Sequence, residues 1–135
     1  MRILGVDYGE KRTGIAISDA LGMTAQGVKT IFESYMPKVA AEVVAIAKDL
    51  NAEKIVVGMP KNMDGSVGFR GQATYEFIEE LKKITTLPVM TWDERLSTVS
   101  AIKSLNETNT RGKKRKEVLD TVAAMYILQN YLDSL

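Results

Sequence analysis

Residues 54–58, Lys-Ile-Val-Val-Gly, form a short apolar run without alternation. A strand with one wet face alternates apolar and polar side chains, so a continuous run asks for cover on both faces, as in the interior of a parallel sheet. Parallel strands need long crossovers, and helix-length stretches flank this run on both sides. Before it, Val39, Val43, Ile46 and Leu50 recur at helical spacing behind Pro37, a residue suited to a first helical turn. After it, Phe69, Ala73, Phe77, Leu81 and Ile84 are expected to form the buried stripe of a second helix.

The flanking segments complete the pattern. Ile3 to Asp7 reads as a buried strand, Gly9 to Gly14 as a turn, and Ile15 to Ser18 as the returning strand of a hairpin. Val28 to Phe32 extends this meander, and Leu87 to Trp92 is a further strand ending at Asp93-Glu94. Leu96 to Leu105 reads as a helix with Ser97 as N-cap, and Asn106 to Arg115 as a polar loop. The last helix is expected over Lys116 to Leu132, with Val118, Val122, Met125 and Leu132 on one side. The order βββ-α-β-α-β-α-α predicts an α/β fold: a mixed five-stranded sheet with a three-strand antiparallel meander and helices on both faces. Residues 1–135 suit a single domain.

The chain has no cysteine and no histidine, which excludes disulfides, thiolate nucleophiles, Cys/His zinc sites and histidine bases. An enzyme built from this alphabet works with carboxylates, lysines, arginines and hydroxyls. Clustered carboxylates without imidazole or thiolate suit a hard cation such as Mg²⁺ or Mn²⁺. No apolar run approaches the roughly 20 residues of a membrane span. Met1 to Asp7 meets a carboxylate too early for a signal peptide, so the expected setting is cytoplasmic and away from membranes.

Net charge is only +1, but the charge is unevenly placed: Arg111, Lys113, Lys114, Arg115 and Lys116 crowd around Gly112. Two readings stand, a solvated loop and a phosphate-binding arm that is mobile until substrate orders it.

Three acidic positions share a setting. Asp7 ends one apolar strand, and Asp93 and Glu94 end another. Asp120 lies early in the last helix, with Ala123, Ala124 and Ile127 on much the same face, so small residues let the helix approach the sheet. Clustered carboxylates repel one another and lose hydration, and a divalent cation offsets both costs. Each position also has a plain reading: Asp7 as a turn former, Asp120 as a complement to the helix dipole, and Asp93-Glu94-Arg95 as a surface ion pair.

Four ordered segments resemble the YqgF/RuvX family of small resolvase-like proteins. They are Gly5-Val6-Asp7-Tyr8-Gly9 with Arg12 to Asp19, Val57 to Ser66, Asp93 to Thr98, and Asp120 to Ala124 with Ile127-Leu128. The resemblance covers essentially the whole chain. It implies a ribonuclease H-like fold shared with Holliday junction resolvases, and a metal site formed by Asp7, Glu94 and Asp120. It also implies a link to maturation of 16S ribosomal RNA precursors, with branched DNA as the other substrate.

The expected chemistry is hydrolysis of a phosphodiester with two Mg²⁺ or Mn²⁺ ions. Asp7 bridges them from its fixed strand, Glu94 and Asp120 complete the set, and Asp93 supports from outside. Arg12 and Arg95 are candidates to hold phosphates bidentately, with Lys113, Lys114 and Arg115 as further nucleic-acid contacts. Lys61, Asn62 and Arg70 read either as groove-lining or as plain surface. Two rivals remain. The first motif also resembles the phosphate loop of actin-like ATPases, although those use two such domains. The chain is alternatively a non-catalytic RNA-binding assembly factor whose acidic cluster holds metal for structure. Oligomeric state is left open.

Overall fold

Strand β1 (Ile3–Asp7) occupies the centre of a five-stranded sheet. Strand β2 (Arg12–Ser18) pairs with it antiparallel, and β3 (Ala25–Phe32) pairs antiparallel with β2 at the edge. On the other side β4 (Lys54–Met59) and β5 (Val89–Asp93) run parallel to β1, giving the order β3-β2-β1-β4-β5. The computed structural model describes residues 1–62, 64–96, 99, 102 and 112–135.

The missing alternation in the central strands follows from two cores, one on each face. Leu4, Val6, Ile55, Val57 and Met59 point into a core closed by helices α1 (Met36–Asp49) and α2 (Phe69–Ile84). Ile3, Ala16 and Val56 point the other way, against helix α3 (Lys113–Asp133). Burying each of the larger aliphatic side chains stabilises by roughly 1.5–3 kcal/mol, so the two layers hold the sheet jointly.

The helices correct parts of the sequence reading. In α2 the buried stripe is Gly71, Thr74, Phe77, Ile78 and Leu81, whereas Phe69 is 85% exposed and Ile84 48%. Steps of four residues drift by about 40° per turn on a 3.6-residue helix, so a stripe anchored at Phe77 has left the core by Phe69. In α3 the buried side carries Ala123, Ala124, Ile127, Leu128, Tyr131 and Leu132, while Val118 is exposed. The small-residue face that includes Asp120, and not the Val118 face, lies against the sheet.

Helix α3 also begins three residues before the expected Lys116, at Lys113 after Gly112. The backbone of residues 113–115 is therefore helical and not part of a loop; their side chains, and residues 106–111 of the expected arm, lie outside the described residues. Strand β3 starts at Ala25, ahead of the expected Val28, and β5 at Val89, behind the expected Leu87. Of the helix expected over 96–105, Leu96 closes a short 3-10 turn (Glu94–Leu96) and Val99 is buried in the core on the α3 side. The proposed N-cap Ser97 lies outside the described residues.

Candidate active site and nucleic-acid interface

The odd residues of β1 face α3, and Asp7 continues that alternation beyond Ile3 and Gly5. Asp7 pairs with Gly14 across the β1–β2 ladder, and on the parallel side Val6 sits beside Val57, so Gly58 comes next. Gly14, Asp7 and Gly58 thus form a row across three strands, about 4.8 Å apart from one to the next.

Both glycines are required by what stands over them. A methyl on Gly14 would collide with the carbonyl oxygen of Asp120, whose Cβ lies 3.4 Å from the same point. A methyl on Gly58 would meet Ile127 and would stand 2.9 Å from Oε2 of Glu94. The missing side chains therefore bring Asp120 over one end of the row and Glu94 over the other, with Asp7 between them. Asp7 and Glu94 are only 6% and 3% exposed.

The three carboxylates do not form one closed cage. Arg12 Nε donates to Asp120 Oδ2 over 2.8 Å, and Glu94 is absent from the lining of the cleft that Asp7 and Asp120 share. Among the described residues, no three Asp, Glu, His or Cys side chains stand together closely enough to hold a metal ion.

The cleft encloses about 380 Å³. Asp7, Glu10 and Asp120 contribute the acidic part of its lining; residues 8–12 form one wall, and Phe69, Arg70 and Ala73 of α2 form the other. Lys11, Arg12 and Arg70 line the same cleft, a layout that suits an anionic backbone bound through cations beside a carboxylate centre. The ring of Tyr8 stacks on Phe77, with centroids 4.3 Å apart and planes inclined by 11°. Burial, then Glu76 and Glu10, push its hydroxyl above the usual tyrosine range, so it stays protonated and able to donate at neutral pH.

Asp93 and Arg95 form a separate unit. Arg95 Nε lies 3.1 Å from both carboxylate oxygens of Asp93, its Nη2 donates to Oδ2 over 2.7 Å, and its backbone N–H donates to Oδ1 over 2.9 Å. The Arg95 side chain holds the Asp93 carboxyl below the usual carboxylate range. Residues 60–62 and 64–68 lie beside this pair: Asn62 N–H donates to the Ser66 carbonyl, Gly65 N–H donates to the Asn62 carbonyl, and Ser66 donates twice to Asp64. Gly65 has φ +89°, the left-handed conformation that favours glycine. Arg95 Nη1 donates to the Asn62 carbonyl over 3.5 Å.

Of the residues expected to line a groove, Arg70 does so, Asn62 is tied into the loop through Ser66, and Lys61 lies near Asp93. Tyr8, Lys11 and Phe69 were not anticipated at the site. Lys11 was legible as the neighbour of Arg12 in the hairpin turn, but hydrophobic spacing assigned Phe69 to the core.

The profile of a family described as "RuvX: Holliday junction resolvase" matches residues 1–134. A relative from Desulfitobacterium hafniense, provisionally named a pre-16S rRNA nuclease, is 52% identical over 133 residues, covering 98% of this chain and 92% of its own. A Clostridium novyi relative with the same provisional name is 45% identical over 135 residues, covering all of both chains. Among solved structures, Thermus thermophilus RuvC in complex with a Holliday junction substrate is similar at TM-score 0.59 and 12% identity, over 99% of this chain and 94% of that one. The fowlpox virus Holliday junction resolvase is similar at TM-score 0.54 and 18% identity, over 100% of both chains. At such identities these two structures bear on the fold alone, and they agree with the expected ribonuclease H-like architecture. No helix among the described residues is long and apolar enough to cross a membrane.

Proposed function

The chain belongs to the RuvX family, and on that premise we propose that it is a metal-dependent nuclease hydrolysing phosphodiester bonds in precursor 16S rRNA. The observation that carries this reading is the row Glu94, Asp7, Asp120 across one end of the sheet, beside a cleft that Lys11, Arg12 and Arg70 also line. Asp7 and Glu94 are buried, and a cation brought between carboxylates at one sheet end would stabilise their charges there.

The donor set fits a hard cation. It consists of carboxylate oxygens without sulfur or imidazole, the set that suits Mg²⁺ or Mn²⁺. Asp7, Glu94 and Asp120 are the residues that would hold one or two such ions, which requires Arg12 to release Asp120 and the Glu94 carboxylate to turn toward the cleft. When bound, the cation supplies Lewis acidity at the phosphoryl oxygen and neutralises charge that develops there.

The chain's own groups do the rest. The Asp7 backbone is fixed by its pairing with Gly14, one residue beyond the parallel ladder that ends at Val6, so the carboxylate starts from a well-placed Cα. Arg12 ties Asp120 until a phosphate competes for the guanidinium, and then presents N–H donors to it. The protonated Tyr8 hydroxyl is a further donor in the cleft wall. Lys11 and Arg70 draw the strand in through its phosphates, which positions it without reading sequence.

Precursor rRNA comes ahead of branched DNA because full-length relatives at 45–52% identity carry the rRNA name. The family's own description favours the four-way junction as the second reading. The test is cleavage of a precursor 16S fragment and of a four-way DNA junction, each with Mg²⁺ and with EDTA. Mg²⁺-dependent cleavage of the RNA supports the proposal. Cleavage of the junction alone replaces its substrate, and binding without cleavage of either makes the protein an assembly factor.

A further inference from the structure

Phe69 is the most exposed large apolar side chain described, at 85%, and it stands on the wall of the cleft that contains Asp7 and Asp120. An isolated exposed apolar residue needs no explanation. This one is set among Lys11, Arg12 and Arg70, all of which line the same cleft. Asp7, Glu10 and Asp120 balance these cations, so the cleft is polar and mixed in charge, and an exposed aromatic face beside cations is still the layout that holds single-stranded nucleic acid: the cations meet the backbone, and the ring takes a base. The α2 register supports a role outside the core. Phe77 and Leu81 anchor the helix while Phe69 projects from its first turn, where the core gains nothing from a large ring.

We infer that Phe69 is a stacking platform for one unpaired nucleobase next to the phosphate that Lys11, Arg12 and Arg70 bring to the cleft of Asp7 and Asp120. The inference rests on the nuclease reading and narrows it. A base can lie flat on Phe69 only when it has left its own stack, so the strand is unpaired at the cleavage position, whatever its structure further away. Neighbouring Arg70 contributes charge, and its effect is separable from that of the ring.

The experiment uses the full chain carrying Asp7→Asn, so that binding is read without cleavage. Its partner is a single-stranded RNA with a single 2-aminopurine walked along its length. Stacking on Phe69 quenches the probe at one position. Phe69→Ala is expected to abolish that quench and to weaken binding roughly 5- to 140-fold, the equivalent of about 1–3 kcal/mol per stacked base. Phe69→Tyr is expected to keep both. The dependence of log affinity on log salt should be the same with and without the ring, because no phosphate contact is lost, whereas Arg70→Ala should flatten it. Leu21→Ala, at a site 78% exposed outside the cleft, controls for loss of surface apolar area and should change nothing. Phe69 is exposed in a helix, so alanine there should not harm folding, and circular dichroism checks this.

Unchanged affinity and quench in Phe69→Ala, alongside a wild-type protein that cleaves RNA, overturn the stacking assignment and leave the nuclease reading intact. A wild-type protein that neither binds nor cleaves single-stranded RNA overturns both.

Discussion

Arg12 Nε and Asp120 Oδ2 meet at 2.8 Å although 108 positions separate them in sequence. This pair joins the start of β2 to the first turns of α3 in the cleft wall. It satisfies Asp120 in the absence of a cation, and it occupies the arginine best placed to take a phosphate. Arg12→Ala should therefore loosen the metal-free protein by about 1–2 kcal/mol, as for a partly buried charged hydrogen bond. It should also tighten Mg²⁺ or Mn²⁺ binding, because the cation no longer competes with the guanidinium. Denaturant unfolding with EDTA measures the first effect and calorimetric titration the second.

Gly14 is where α3 comes closest to the sheet within the site. A methyl there meets the backbone oxygen of Asp120, which has no rotamer in which to escape. Gly14→Ala should cost about 1–3 kcal/mol through overpacking and should displace Asp120 from its place beside Asp7. Gly27→Ala, whose methyl would lie 3.2 Å from Thr121 Cβ, should cost less. Chemical denaturation of both variants checks the order.

Lys113, Lys114 and Arg115 open α3, whose first turn has no acidic residue. Cations at a helix N-terminus oppose the dipole, so replacing all three with alanine should hold or raise stability slightly. If they contact phosphates, the slope of log affinity against log salt for single-stranded RNA should flatten by roughly 0.7 per contact, about 2 in total. Filter binding across a salt series measures it. An unchanged slope assigns the phosphate contacts to Lys11, Arg12 and Arg70.

The Asp93–Arg95 fork predicts a pH signature. Asp93 titrates below its unfolded value when folded, so its contribution to stability is complete above the unfolded carboxyl range and is lost as pH falls through the folded value. The stability difference between wild type and Asp93→Asn should be constant from pH 7 to about 5 and shrink below about 4. Thermal melts of both proteins from pH 7 to pH 2.5 measure it.

The architecture was legible because it is written in hydrophobic period. The unalternating run at 54–58 required two covered faces, and Val39 and Val43 announced α1. What period cannot supply is the phase of a helix at its ends. Phe69 and Phe77 differ by two i+4 steps, and the drift between them separates a cleft residue from a core residue. Asp7, Asp93, Glu94 and Asp120 were visible as carboxylates at element ends, but Asp93 and Glu94 differ in ways that spacing does not encode. One is held by Arg95 and the other lies buried over Gly58. The Arg12–Asp120 contact depends on how α3 crosses β2, a long-range packing outcome with no local signal.

Asp7 is expected to be indispensable to chemistry and dispensable to folding. Asp7→Asn keeps the shape of the side chain, removes one of several crowded negative charges, and lowers affinity for a divalent cation. The decisive measurement is single-turnover cleavage of precursor 16S RNA by wild type and Asp7→Asn at matched Mg²⁺, with the melting temperature of each taken in EDTA. Cleavage is expected to be lost while the variant melts at or slightly above the wild-type temperature. A folded Asp7→Asn protein that cleaves at the wild-type rate would contradict this expectation.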